Sequence, residues 1–231
     1  KFGYAPKGVS VLLQRGRVHR RDYLEAVLAA AAASADHLVV TGDITNLSLE
    51  HEYEEACALL EEAAKRAEVT VVPGNHDIYL PVTLHERRFP HHFAKYLESD
   101  LPDFARDLKA GHFPSVKLRG PLAIIALSSA VPRPPFIAAG YAGHAQLEAL
   151  GAVLAHPEVR SRMPVLLIHH PPVDPRPRFL QLRDGLVDAE AFRRSLAGLS
   201  RGLVLYGHTH VRVRCFVPTA AGRVDVIGAS G

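Results

Sequence analysis

HLVVTGDITNLSLEHEYEEACALLEEAAKRAEVTVVPGNHD, residues 37 to 77, decides the fold. It opens on His37-Leu38-Val39-Val40-Thr41 and closes with Val69-Thr70-Val71-Val72-Pro73 before Gly74, two short runs of β-branched and aliphatic side chains that suit buried strands. Between them, Leu49 to Ala67 is rich in Ala, Glu and Leu and free of Gly and Pro. Tyr53, Ala56, Cys57, Leu60 and Ala64 recur there at helical spacing. Strand, helix and strand in that order predict a parallel crossover. Each strand runs directly into a metal-binding side chain, Asp43 after Gly42 and Asn75 after Gly74. The crevice outside the carboxyl ends of parallel strands is where such sheets hold ligands.

The same arrangement returns twice further along. Val165-Leu166-Leu167-Ile168 leads into His169-His170, and Leu203-Val204-Leu205-Tyr206 leads into Gly207-His208-Thr209-His210. Helices are expected over Asp22 to Ala35, over Gly143 to His156 with Leu147, Leu150 and Leu154 on one face, and over Asp188 to Leu199. Val116-Lys117-Leu118 and Leu122 to Leu127 read as a hairpin across Arg119-Gly120-Pro121. A terminal hairpin joins the alternating run from Val211 to Val217 to Val224-Asp225-Val226-Ile227. The α/β alternation breaks from Pro81 to Pro114, where four prolines and four histidines predict an excursion with short helices. That excursion is expected to form a cap or lid which, with the loop Val131 to Tyr141, shapes a leaving-group pocket. One domain over residues 1–231 is expected.

Composition narrows the function classes. Among 231 residues, 27 basic against 24 acidic side chains give +3, too small an excess for a specific nucleic-acid binder and compatible with a small anionic substrate. Basic residues gather at Arg15 to Arg21, Arg87-Arg88, Arg176 to Arg183 and Arg193-Arg194 and read mainly as solvated faces. Cys57 and Cys215 sit in apolar patterns, so both are expected in the core without a disulfide, which makes a reducing, cytoplasmic location the default. No apolar run approaches the roughly 20 residues of a membrane span. Val9 to Arg21, three aliphatics before a basic run, is a candidate for resting on an anionic membrane surface.

The strand-end residues form a coherent donor set. Asp43 has two oxygens that two metals can share. Asn75 offers a carbonyl oxygen, His169 and His208 offer imidazole nitrogens, and His210 follows two residues after His208. Nitrogen and oxygen donors without sulfur favour Mn, Fe, Zn or Co. His170 is read as facing substrate or standing behind the ligands, because neighbouring residues on a strand point apart.

Gly42-Asp43-Ile44-Thr45-Asn46, Gly74-Asn75-His76-Asp77, His169 and Gly207-His208-Thr209-His210 together resemble the calcineurin-like metallophosphoesterases. The resemblance implies a four-layer α-β-β-α sandwich with two mixed central sheets and a dinuclear metal site. It also implies a metal-dependent phosphoester hydrolase that activates hydroxide for in-line attack on phosphorus, with a diester preferred to a monoester. Carried over, Asp43 bridges two divalent ions, Asn75, His169 and His208 complete one, and His210 belongs to the other. His76 is the outer acid held by Asp77. Beside these, Asn46 is a candidate for contact with substrate, as is His170 in one of its two readings. The family's leading Asp-x-His has no counterpart before Asp43, where only His19, Asp22, Asp36 and His37 stand, so a first strand is expected upstream of Lys1. Rival readings are a nuclease, a lipid-linked pyrophosphate hydrolase using Arg15 to Arg21, or a non-catalytic scaffold with an incomplete metal site.

Overall fold

Helix α1 (Arg21–Ser34) leads into β1 (His37–Val40), α2 (Glu50–Ala64) and β2 (Glu68–Val71). β1 and β2 pair in parallel, with Leu38 opposite Val69 and Val40 opposite Val71, as the crossover requires. The computed structural model describes residues 21–134 and 136–229. At the start of α2, Glu52 reaches back to accept from the backbone N–H groups of Leu47 and Leu49. The helix stops at Ala64, three residues earlier than its composition suggests, where Lys65 and Arg66 bond back three residues to Glu62 and Ala63. Its buried stripe is Tyr53, Ala56, Leu60 and Ala63. Ala63 replaces the expected Ala64 because it meets Ala32 of α1 and Ala67.

The excursion consists of α3 (Pro81–His85), α4 (Arg88–Phe93), single turns at Ala94–Tyr96 and Pro102–Phe104, and a two-residue pair, β3 (Arg106–Asp107) against β4 (His112–Phe113). Its aromatic side chains are not a loose lid. Phe89, Phe93 and Phe113 are fully buried and pack with Tyr53, Val71 and Leu167, while His92 stacks on Tyr53 with ring centres 5.2 Å apart. A 510 Å³ cavity in this region is lined by Glu86, Arg87, Pro90, His91, Leu97 and His112, among others, and by none of the strand-end residues.

The larger sheet is built by β5 (Ser115–Arg119), β6 (Leu122–Ala126), β7 (Met163–Leu167), β8 (Leu203–Tyr206), β9 (Val213–Pro218) and β10 (Arg223–Gly228), in the order β5-β6-β7-β8-β10-β9. The four inner strands are parallel, and β5 and β9 lie antiparallel at the edges. Helices α5 (His144–Ala155), α6 (Pro157–Arg160), α7 (Arg178–Asp184) and α8 (Ala189–Ser195) interrupt the strands. Of these, α6 and α7 have no counterpart in the sequence expectation. Alternate strand residues serve two cores. Ile124, Ala126, Val165 and Leu167 face Val69, Val71 and Tyr53, whereas Ile125, Leu166, Val204 and Tyr206 face Leu147, Leu150, Phe192 and Leu196. Each fully buried aliphatic side chain in such a core contributes roughly 1.5–3 kcal/mol.

The architecture is the expected mixed α/β fold with a large mixed sheet. Among the described residues the smaller sheet is a parallel pair rather than a mixed one. The terminal hairpin enters the larger sheet through β10, parallel to β8, and leaves β9 outermost. The segment Val9 to Arg21 lies outside the described residues except for Arg21, as does His19. No described helix is long and apolar enough to cross a membrane.

Candidate metal centre

Four turns leave the carboxyl ends of β1, β2, β7 and β8 and bring their polar side chains together. His169 Nε2 stands 3.2 Å from Asn75 Oδ1, 3.2 Å from His208 Nδ1 and 3.4 Å from Asp43 Oδ1, and His208 Nδ1 is 2.9 Å from Asn75 Oδ1. Donor atoms sharing one cation at bonds of about 2.0–2.2 Å sit roughly 2.9–3.4 Å apart. The spacing of Asn75, His169 and His208 is therefore that of a single coordination sphere, with Asp43 standing beside it against His169.

The hydrogen-bond inventory points the same way. His169 donates from Nδ1 to the Thr41 carbonyl at 2.7 Å, which leaves a lone pair on Nε2 facing the other three atoms. Asp184 lies near enough to the His208 ring to favour its charged form. Asp43 and Asn75 present oxygens beside that lone pair, an arrangement that a positive charge completes.

The titration of these groups follows from that geometry. Burial alone would press the His169 imidazolium down, but the adjacent Asp43 carboxylate and the Thr41 bond outweigh it and raise its pKa. A proton on His169 is one way to answer Asp43, and a divalent cation is the other, so the two compete. Burial, then His169, lowers His208 to about 4, which keeps its ring neutral and able to ligate near neutrality. Burial works to raise the Asp43 pKa, yet His169 and the backbone and charge of His76 hold it well below the usual carboxylate range.

Local backbone strain is concentrated here. Asp43 (φ 58°) and His208 (φ 66°) both occupy the left-handed region, at a cost of roughly 1 kcal/mol or more each for residues with a Cβ. Gly74 is required for a different reason: a Cβ there would stand 2.2 Å from Asp43 Oδ1 and 2.8 Å from His169 Cε1.

Around the quartet, several sequence expectations are corrected. His76 is held not by Asp77 but by the Asn46 carbonyl, to which its Nδ1 donates at 2.7 Å, and its ring stacks on Tyr79. Asn46 thus enters the site through its backbone. Asp77 is fully buried and accepts from Thr45 N at 2.7 Å, Thr45 Oγ1 at 3.0 Å and Gly74 N at 2.8 Å, tying the Asp43 turn to the Asn75 turn. Burial, then the neighbouring Asp43, raises its pKa to about 6.

His170 takes the second of its two expected places, behind the ligands. It is fully buried, with Nε2 donating to the Ala138 carbonyl at 2.9 Å and Nδ1 accepting from Ser129 Oγ at 2.7 Å, so although its ring lies beside His169 and His208, both nitrogens are committed. His210 is exposed with φ 53°, and among the described residues no contact joins it to the quartet. His37 opens β1 at the remote end, where its ring bonds Thr70, and Asp22 and Asp36 lie at the start of α1 and just before β1.

The sequence reading missed Thr41, which orients His169 through its carbonyl, Thr45, which holds Asp77, and Ser129 and Ala138, which hold His170. Only Thr45, inside the Gly-Asp-x-x-Asn stretch, carried a signal that could have been used. Both cysteines are free, but they are half-buried at the margins of the cores and not within them as expected.

A sequence model of the calcineurin-like phosphoesterases matches residues 17–212. Among solved structures the chain is similar to a dimetal phosphatase from Danio rerio, with 16% identity and a TM-score of 0.63 over 91% of this chain and 77% of that one. It is also similar to phosphopantetheinyl hydrolase from Mycobacterium tuberculosis, with 16% identity and a TM-score of 0.42 over 87% and 84% of the respective chains. The first likeness supports the fold; the second is too distant to carry an argument. No curated protein sequence matches the chain.

Proposed function

Because the chain belongs to the calcineurin-like phosphoesterase family, and so is a metal-dependent hydrolase of small phosphoesters with a dinuclear divalent centre, we propose that Asp43, Asn75, His169 and His208 hold one of its cations. The observation that supports this assignment is that Asn75 Oδ1, His169 Nε2 and His208 Nδ1 lie 2.9–3.2 Å from one another, with Asp43 Oδ1 3.4 Å from His169 Nε2. Asp43, whose second oxygen is available beyond the quartet, is the shared ligand, and His210 belongs to the second position. Bound divalent ions supply Lewis acidity toward a phosphoryl oxygen and lower the pKa of water.

The chain's own groups do the rest. With Nδ1 bonded to the Asn46 carbonyl, His76 keeps Nε2 for substrate, where it stabilises charge on a phosphoryl oxygen or returns a proton to the departing alkoxide. Asp77 is a positioning residue that locks the two turns together through Thr45 and Gly74. The loop Val131 to Tyr141, which touches His170 through Ala138, shapes the leaving-group side.

A diester is the preferred substrate. Arg176, on the loop flanking His208, is taken up by Asp174 and Asp184, which leaves it unsuited to the second negative charge of a monoester. The metals are Mn, Fe, Zn or Co, the chain is one domain, and it works in the cytoplasm. The test is hydrolysis of bis-p-nitrophenyl phosphate and p-nitrophenyl phosphate with each metal, beside Asp43→Ala. The expected result is diester turnover that Asp43→Ala abolishes; no turnover of either ester with any of the four metals would contradict it.

A further inference from the structure

Thirteen large apolar side chains are exposed among the described residues, and six of them, Phe136, Ile137, Tyr141, Phe179, Leu182 and Val187, fall in two adjacent segments. Phe136 is 73% exposed, Phe179 67% and Leu182 61%, far more than a monomer's scattered apolar residues need be. The segments lie side by side: Ala138 N–H donates to the Arg183 carbonyl at 2.8 Å, Gly140 N–H to Gly185 at 2.9 Å and Val187 N–H back to Gly140 at 2.9 Å. Phe179 and Leu182, three apart on α7, share one helical face.

This surface is anchored to the candidate metal centre. Ala138 accepts from His170, and a Cβ on Gly140 would stand 2.2 Å from the His170 ring. An apolar surface therefore begins where the imidazole wall ends. An anion at the cationic end and a hydrocarbon on the apolar end match one kind of ligand, an amphiphile. A second copy of the chain, or a bilayer, would cover the apolar side chains without using the charge beside them.

Resting on the phosphoesterase reading above, we infer that the substrate is a phosphoester bearing an alkyl or acyl chain, which lies along Phe136, Ile137, Phe179 and Leu182 while its phosphate sits at the quartet. Its recognition is by apolar burial continuous with the metal centre.

The test uses the full Mn-loaded chain and, below micelle-forming concentration, octyl phosphate and methyl phosphate in calorimetric binding. Octyl 4-nitrophenyl phosphate and methyl 4-nitrophenyl phosphate are compared in turnover. The unaltered chain should bind octyl phosphate at least about tenfold more tightly than methyl phosphate. Phe179→Ser/Leu182→Ser, both exposed sites, should reduce that preference to within about twofold and leave methyl phosphate binding unchanged. Equal binding of the two by the unaltered chain overturns the inference, as does a preference that survives in the double variant. So does sedimentation showing a dimer that only the double variant dissolves, or pelleting with phosphatidylcholine vesicles in the absence of an octyl preference. If neither nitrophenyl ester is hydrolysed with any metal while the octyl preference stands, the phosphoesterase reading fails and the apolar surface survives. If both esters turn over equally and bind equally, the reverse holds.

Discussion

The two ends of the same parallel strands carry opposite kinds of polar cluster. At the amino end, Glu68 takes a bidentate bond from Arg119 at 2.5 and 2.6 Å, Lys117 lies 3.4 Å away and donates to the Val69 carbonyl, and Arg119 also reaches Asp100 at 2.7 Å. Charges there meet opposite charges. At the carboxyl end, Asp43, Asn75, His169 and His208 point acceptors at one another, Asp43 and His208 hold left-handed backbones, and Gly74 leaves no room for a Cβ. The first end pairs its charges within the chain and serves stability. The second is incomplete by one cation's worth of charge, and that incompleteness is where chemistry is done.

Breaking the carboxyl end should cost most. Asp43→Ala is expected to lower kcat/KM for bis-p-nitrophenyl phosphate by about 10³-fold or more, with circular dichroism unchanged, because it removes the only anionic ligand of the four and with it most of the charge that attracts the cations. Retention of activity within tenfold would move the site elsewhere. Gly74→Ala, which touches no ligand chemistry but pushes on Asp43 and His169, should weaken manganese affinity by about 10–100-fold in calorimetric titration. An unaltered affinity would mean that the turn has slack that the close approach denies.

His76→Ala should lower kcat by about 10²-fold for esters with poor leaving groups, less for nitrophenyl esters, and leave metal content intact. Loss of metal would instead make His76 a ligand. The smallest effect belongs to the other end. Arg119 hydrogen bonding is the first cause that holds Glu68 at about 2, against an ordinary 4.5. Its contribution is therefore present above pH 4.5 and is lost as pH falls from 4.5 toward 2. Glu68→Gln should flatten the acid dependence of stability in that window by less than about 1 kcal/mol, given that Glu68 is half-open to solvent, and should leave kcat/KM untouched. A change in activity would erase the contrast between the ends.

Much of this was legible in the chain. Residues 37–77 announced a parallel crossover because a Gly- and Pro-free helix joins two aliphatic runs. The four strand-end motifs pointed to Asp43, Asn75, His169 and His208 because ligand-bearing side chains after buried strands share one edge. What escaped has a common cause. The groups that orient the imidazoles of His169, His76 and His170, the Thr41, Asn46 and Ala138 carbonyls, are main-chain atoms that any residue supplies, so composition cannot mark them. Asp77 follows His76 directly and was assigned to it, but its carboxylate turns inward to Thr45 and Gly74, which only the tertiary fold reveals. The aromatic content of Pro81 to Pro114 suggested a cap, yet the same side chains that can line a lid also fill a core, and here Phe89, Phe93 and Phe113 do the latter.

The most direct measurement is the manganese retained per chain, by elemental analysis after loading and desalting, in the unaltered protein and in Asn75→Leu/His208→Leu. About two ions per chain in the former and a loss of at least one in the double variant are expected. The same metal content in both would contradict a cation held by the four converging side chains.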